Sequence, residues 1–195
     1  RAGPRGEKAP ARFACGHRFD ACAAIRDTYR HASTTPQDAM DIRTGHLDHP
    51  AVAALLGAHL AELSSLSPPE SVHALALERL DSPDITFWVA WDGDAPMGCV
   101  ALKAHDATHG ELKSMRTAPA CLRAGVAPAL PDVVQGEAPR RGYARLSLET
   151  GTAPAFAAAH ALYRRAGFVG CEPFGDYAED PHSTFMTLAL DPIHD

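Results

Sequence analysis

No stretch of this chain approaches the roughly 18 consecutive apolar residues that a membrane-spanning helix needs. The amino-terminal segment carries basic residues but lacks the apolar core of a secretory leader. The cysteines (Cys15, Cys22, Cys99, Cys121 and Cys171) are odd in number, and no two stand as Cys-x-x-Cys. Neither a disulfide framework nor a zinc site is therefore indicated, and free thiols in a reducing compartment, the cytoplasm, are expected, with no metal. Positive charge is not in excess: 18 Lys and Arg stand against 24 Asp and Glu, a formal net charge of −6. That balance provides no basic face for nucleic acid. There is no Gly-x-Gly-x-x-Gly and no P-loop lysine, which argues against a nucleotide-binding or redox protein. What is present is ordinary globular material, 46% hydrophobic and 22% charged over 195 residues, enough for one sizeable core.

Residues 1–39 differ from the rest. Their opening run, RAGPRGEKAPAR, is rich in proline, glycine and charge and is not expected to hold a fixed structure. Residues 20–31 have the length of a short helix but a poor apolar face. We expect 1–39 to be a dispensable extension and 40–195 to be the domain; deletion of 1–39 that unfolded the remainder would overturn this.

From Met40 the pattern is regular. Met40 to Thr44 alternates like a strand. Val52, Leu55, Leu56, Leu60, Leu63 and Leu66 recur at helical spacing. Ser67-Pro68-Pro69-Glu70 breaks that helix and opens a second, with Pro69 or Glu70 in its first turn and Val72, Leu75 and Leu80 on its core face. Ile85 to Trp91 is β-branched and aromatic, Asp92-Gly93 is a hairpin turn, and Met97 to Leu102 returns. A fourth strand covers Glu111 to Thr117, and a helix follows as far as Arg141. A strand over 143–149, a helix over 155–166 capped by Gly167, and strands at 168–171 and 183–190 complete the series. The order β-α-α-β-β-β-α-β-α-β-β predicts an α/β chain with a mixed sheet, mostly antiparallel, with one parallel β-α-β pair and helices on both faces.

Two segments carry chemistry. The fourth strand holds Glu111, Lys113 and Arg116, so neither of its faces is cleanly apolar; it is either a functional strand or a solvated edge. The segment Thr117 to Ala127 runs from a strand end into a helix start, where unpaired backbone N–H groups and the helix dipole suit an anion such as a pyrophosphate. Thr117-x-Pro119 followed by Arg123-Ala124-Gly125-Val126-Ala127 resembles the acyl-CoA loop of the GNAT superfamily of N-acetyltransferases. Pro119, Gly125 and Ala127 fall in register with it. Leu122 stands where the family usually has Arg or Gln, and Arg123 where it often has Gly. Ala159, Leu162, Tyr163, Gly167 and Phe168 are similar to the family's A-x-x-L-Y-x-x-x-G-F block. The resemblance covers about residues 40–190.

It implies a GNAT-like fold and transfer of an acetyl group from acetyl-CoA, a co-substrate, to an amine of a small molecule or peptide, with homodimers common in the family. It also implies cofactor contacts from Met115, Arg116, Thr117, Leu122, Arg123, Ala124, Gly125, Val126 and Ala127. Glu111 matches the family's base and Tyr163 its acid for the leaving thiolate; His109 and Glu149 are alternatives to Glu111. The strands around 111–117 and 144–149 should splay, and Met115 should offer a backbone N–H to the oxyanion. The Asn that many members carry on the last helix falls at Phe156. Pro131, Gly136 and Pro139 are expected to kink, shorten or break the helix after the phosphate loop, each interior proline costing about 3 kcal/mol. A degenerate domain acting as an interaction module is the second reading.

Overall fold

The computed structural model describes residues 40–191, so the extension expected over 1–39 lies outside the described residues. Strand β1 (Asp41–Thr44) leads to helix α1 (Pro50–Leu66), whose first turn holds Pro50 and is capped by His49 Nδ1 accepting from the Ala51 N–H. The expected second helix does not form as one unit. A single 3₁₀ turn, Pro69–Ser71, is followed by extended backbone and then a four-residue α2 (Leu77–Leu80). An isolated short helix is a poor bargain, since its first turn fixes several residues for one hydrogen bond. The segment instead spans the sheet face, with Leu75, Leu77 and Leu80 reaching the core.

Strands β2 (Ile85–Asp92), β3 (Ala95–Ala104) and β4 (His109–Thr117) form a meander, the first turn closing at Gly93 with φ +56°. Helix α3 (Val126–Glu137) crosses to β5 (Arg145–Gly151). Helix α4 (Ala157–Arg165), β6 (Val169–Gly170) and β7 (Ser183–Ala189) follow. The sheet order is β1-β2-β3-β4-β5-β7-β6, with β4 and β5 the parallel pair and every other pair antiparallel.

Both sheet faces are covered, which is why β2 reads as one apolar run rather than an alternation. Trp88, Val100, Leu102, Leu112, Leu146 and Leu148 pack with Val126, Leu130 and Val134 of α3 and Tyr163 of α4. On the other face Phe87, Val89, Trp91, Cys99 and Ala101 meet Val52, Leu55 and Leu56 of α1 and Leu80 of α2. The α3 helix lies so close to β3 that a Cβ on Gly98 would stand 2.7 Å from Arg116 O and 2.8 Å from Val126 Cγ1. The helix expected to run to Arg141 is shortened: it continues through Pro131, which is buried, but ends at Glu137, and Pro139 starts a separate 3₁₀ turn. Packing of Val126, Leu130 and Val134 offsets the single hydrogen bond that Pro131 removes from Ala127 O.

Candidate active site

The parallel pairing of β4 and β5 is short. It runs through His109 with Arg145, Gly110 with Leu146 and Glu111 with Ser147, and then stops. Beyond it β5 stays with β7 and β4 with β3, so the two strands part. The parting coincides with a bulge. Lys113 pairs with Ala101 but Arg116 pairs with Cys99, which leaves one extra residue in β4. Ser114 takes it up with φ +49°, and its carbonyl accepts from Cys99 Sγ at 3.5 Å. Such a bulge re-aims backbone groups that the ladder would otherwise consume.

At the α3 end of β4, Pro119–Cys121 forms a 3₁₀ turn and Gly125 caps α3 in the left-handed region at φ +82°. No side chain caps α3 and no acidic residue occupies its first turn. Its first amides are therefore available to an anion, and Pro128 has none to lose. Arg123 is also left-handed, at φ +66°. It stands where the family often has glycine, so the loop keeps the conformation that a glycine would supply without strain. Arg123→Gly is expected to stabilise the fold by about 1 kcal/mol, read as a rise in denaturation midpoint at unchanged slope. Leu122 is 58% exposed on this loop.

The face of the sheet opposite α3 changes character at β4. Glu111 is fully buried. Its Oε1 accepts from Lys113 Nζ at 3.0 Å and from the Tyr177 hydroxyl at 2.5 Å. His105 Nε2 lies 3.0 Å from Oε2, and since an ionised carboxylate only accepts, His105 donates there. Burial alone would raise the Glu111 carboxyl; the Lys113 charge and the bonds from Tyr177 and Lys113 outweigh it and hold it below the usual range. The fourth strand is thus a central strand with a neutralised pair, not a solvated edge. Lys113 also donates to Tyr177 at 2.6 Å, and burial next to Glu111 keeps that phenol protonated.

His109 is occupied. Arg145 Nη2 donates to its Nδ1 at 3.0 Å, so Nε2 carries the proton toward Ser147 Oγ at 2.8 Å. Ser147 in turn donates to Thr187, which donates to Leu146 O. Burial, then the Arg145 charge, lowers the His109 pKa and leaves it neutral. Glu149 differs from Glu111. It is half-buried at the open end of β5, with Oε1 accepting from Ser183 Oγ at 2.6 Å. Burial raises its pKa, with Ser183, His73 and Lys113 only partly opposing.

Tyr163 is buried on α4 against Phe168 at a ring separation of 5.9 Å. Burial, then the Glu149 charge, pushes its pKa up, so it remains a proton donor at any physiological pH. Met115 turns to the α3 face; Arg116 turns the other way, its Nη2 2.5 Å from Glu62 Oε2 of α1. Phe156 lies over Gly151, where a Cβ would collide with its ring. Sequence reasoning missed Tyr177 and His105, which no local pattern connects to Glu111. Among the described residues no group of three or more His, Cys, Asp or Glu is placed to hold a metal ion, and no helix is long and apolar enough to cross a membrane.

Residues 54–168 match the Acetyltransferase (GNAT) family. An uncharacterized N-acetyltransferase of Bacillus subtilis, YsnE, is 52% identical over 151 residues, covering 77% of this chain and 100% of that one. Among solved structures, a Klebsiella pneumoniae protein described by inference as an acyl-CoA N-acyltransferase is 24% identical, with a TM-score of 0.64 over 78% of this chain and 98% of that one. An aminoglycoside 6'-N-acetyltransferase solved with coenzyme A is 14% identical, with a TM-score of 0.58 over 80% of this chain and all (100%) of that one. The chain is an acetyltransferase that belongs to the GNAT family.

Proposed function

We propose that the protein moves an acetyl group from acetyl-CoA to the primary amine of a small molecule or peptide, in the cytoplasm, where the donor is made. The observation that carries this is the parting of β4 from β5 after Glu111 and Ser147, beside the uncapped start of α3. A gap between two parallel strands exposes backbone groups to an extended arm, and the α3 amides lie where that arm would end in a pyrophosphate. Met115, Arg116 and Thr117 hold the arm through their backbone; Leu122, Arg123, Ala124, Gly125, Val126 and Ala127 form the loop around the phosphates. Acetyl-CoA supplies a thioester carbonyl, and the Met115 N–H at the bulge is the donor for the charge that develops on its oxygen.

Between the two carboxylates of the site, the proton balance favours Glu149 as the acceptor of the amine proton. A carboxyl raised by burial is a stronger base than one held down by three donors. Glu111, the residue that the resemblance implies, instead keeps Lys113 and Tyr177 in place around the amine; activity tests on both carboxylates decide between them. Tyr163 donates to the departing thiolate, whose basicity is that of an ordinary thiol near 8.5.

The test is calorimetric titration of acetyl-CoA into the full chain, followed by thiol release with a panel of amines. Micromolar binding and amine-dependent thiol release are expected. Tyr163→Phe should lower kcat by about 10- to 100-fold with acetyl-CoA affinity unchanged. A folded protein without acetyl-CoA binding would favour the interaction-module reading, for which Leu122 in place of the family's Arg or Gln is the one observation.

A further inference from the structure

Four side-chain atoms among the described residues are buried without a hydrogen-bond partner: His59 Nδ1, Trp91 Nε1, Ser114 Oγ and Arg116 Nε. Two of them belong to β4 at or just past its bulge, and a third, His59, lies on α1 close enough to Arg116 to feel its charge. Leaving a buried donor unsatisfied costs more than a hydrogen bond gains, and most of all for a charged one. Two such atoms on neighbouring side chains, Arg116 and His59, with a third at the bulge that precedes Arg116, therefore mark a site rather than an accident of packing.

The chemistry of the place is that of a carboxylate receptor. A guanidinium presents a planar fork whose Nε and Nη hydrogens match the two oxygens of a carboxylate. Here Arg116 is half satisfied: Nη2 meets one oxygen of Glu62, and Nε meets nothing. The Glu62 end of the pair is open to water, its side chain 46% exposed, so screening weakens its hold. It is a stand-in that an incoming carboxylate displaces at little cost. His59 is held neutral, at about 4, by burial and then by the Arg116 charge, so it adds hydrogen bonding without a second cation to desolvate.

Position links this place to the reaction. Arg116 faces the same side of the sheet as Glu111 and Lys113, and only the bulge separates it from the point where β4 leaves β5. A carboxylate seated on Arg116 would therefore lie on the face of the sheet that carries Glu111 and Lys113. We propose that the acceptor amine also carries a carboxylate, as an amino acid does, and that Arg116 receives it with His59 alongside, in the place Glu62 now holds. This rests on the acetyltransferase reading above.

The experiment compares matched acceptors on the full chain: free α-, β- and γ-amino acids against their amides, which keep the amine and lose the charge. Acetyl-CoA binding is measured first, and thermal protection of the coenzyme complex by each acceptor is read beside turnover. The free acids should lead their amides by about 10- to 100-fold in kcat/KM for at least one pair. Arg116→Gln should bring that ratio close to one, Arg116→Lys should restore part of it, and Glu62→Gln should lower KM for the acid. The inference is overturned if amides serve as well as acids, if Arg116→Gln lowers both alike, or if no amino acid is either acetylated or protective while acetyl-CoA binds. Absence of acetyl-CoA binding instead removes the donor reading and leaves the protection assay to judge the carboxylate site alone, where equal protection by acid and amide, or none, overturns it.

Discussion

Glu111→Gln is expected to destabilise the domain by about 3–5 kcal/mol, the range for breaking a buried ion pair by removing one partner. Lys113 is 9% exposed and shares Glu111 Oε1 with Tyr177, so the substitution leaves an ammonium and a phenol with a neutral amide between them. A domain of this size holds roughly 5–15 kcal/mol in all, so the loss amounts to a large part of the margin, or about 6–20 °C in Tm. Pairing the change with Lys113→Met should recover much of it, because the uncompensated charge is the larger part of the penalty. The pH dependence has a definite sign. Glu111 is held below its ordinary value in the folded state, so its contribution is complete above the unfolded carboxyl pKa and is lost as pH falls through the folded one. Wild type and variant should therefore converge in acid and separate toward neutrality. Urea denaturation at several pH values measures this. A variant with unchanged stability and abolished turnover would return Glu111 to the role of base.

Much of the architecture was legible because local and global signals coincide. The run Ile85–Trp91 with Asp92-Gly93 reads as strand and turn on its own, and Gly93 is left-handed as such a turn requires. Val52, Leu55 and Leu56 recur at helical spacing and are the residues that α1 buries. The segment from Pro69 to Leu80 failed as a helix because its apolar residues are equally usable in extended backbone, and the sheet face needed length rather than a cylinder. Of the α3 prolines, Pro139 shortens the helix as expected, whereas at Pro131 tertiary packing outweighs the missing hydrogen bond.

The site was legible where conformation is written in residue type and hidden where charge is balanced at a distance. Gly125, marked as a glycine of the phosphate loop, is left-handed before α3, and Tyr163, marked on one side of its helix, is buried on α4. Glu111 and Lys113 left the fourth strand open between a functional strand and a solvated edge, because what completes their network is not near them in sequence. Their third partner, Tyr177, is 66 residues away from Glu111 in a loop without a helical or strand pattern. Arg116 was marked in sequence as a charge on the fourth strand and a cofactor contact, but nothing local pointed to its unpaired Nε or to His59 nearby.

Glu149→Gln should separate function from stability in opposite directions. As the proposed proton acceptor, Glu149 should be worth about 10²- to 10⁴-fold in kcat/KM at neutral pH, the usual range for general base catalysis. The wild-type profile should rise with pH through an apparent pKa above the ordinary carboxyl value, and the glutamine variant should lack that limb, with acetyl-CoA affinity retained. Stability should move the other way. A carboxyl raised in the folded state binds its proton more tightly there than in the unfolded chain, so folding loses free energy as pH rises from the unfolded value through the folded one. At neutral pH the ionised Glu149 is a net burden on the fold, held mainly by Ser183 and by the nearby charge of Lys113. Glutamine keeps the bond to Ser183 and removes the buried charge, so its Tm should exceed that of wild type at pH 7 and match it near pH 4. Pre-steady-state thiol release and calorimetry on the same sample read both effects. A gain in Tm with undiminished turnover would show that the raised carboxyl is a structural residue and that the amine loses its proton elsewhere. A loss of both would mean that the Ser183 bond needs the charge, and Ser183→Ala would then reproduce the thermal loss without the kinetic one.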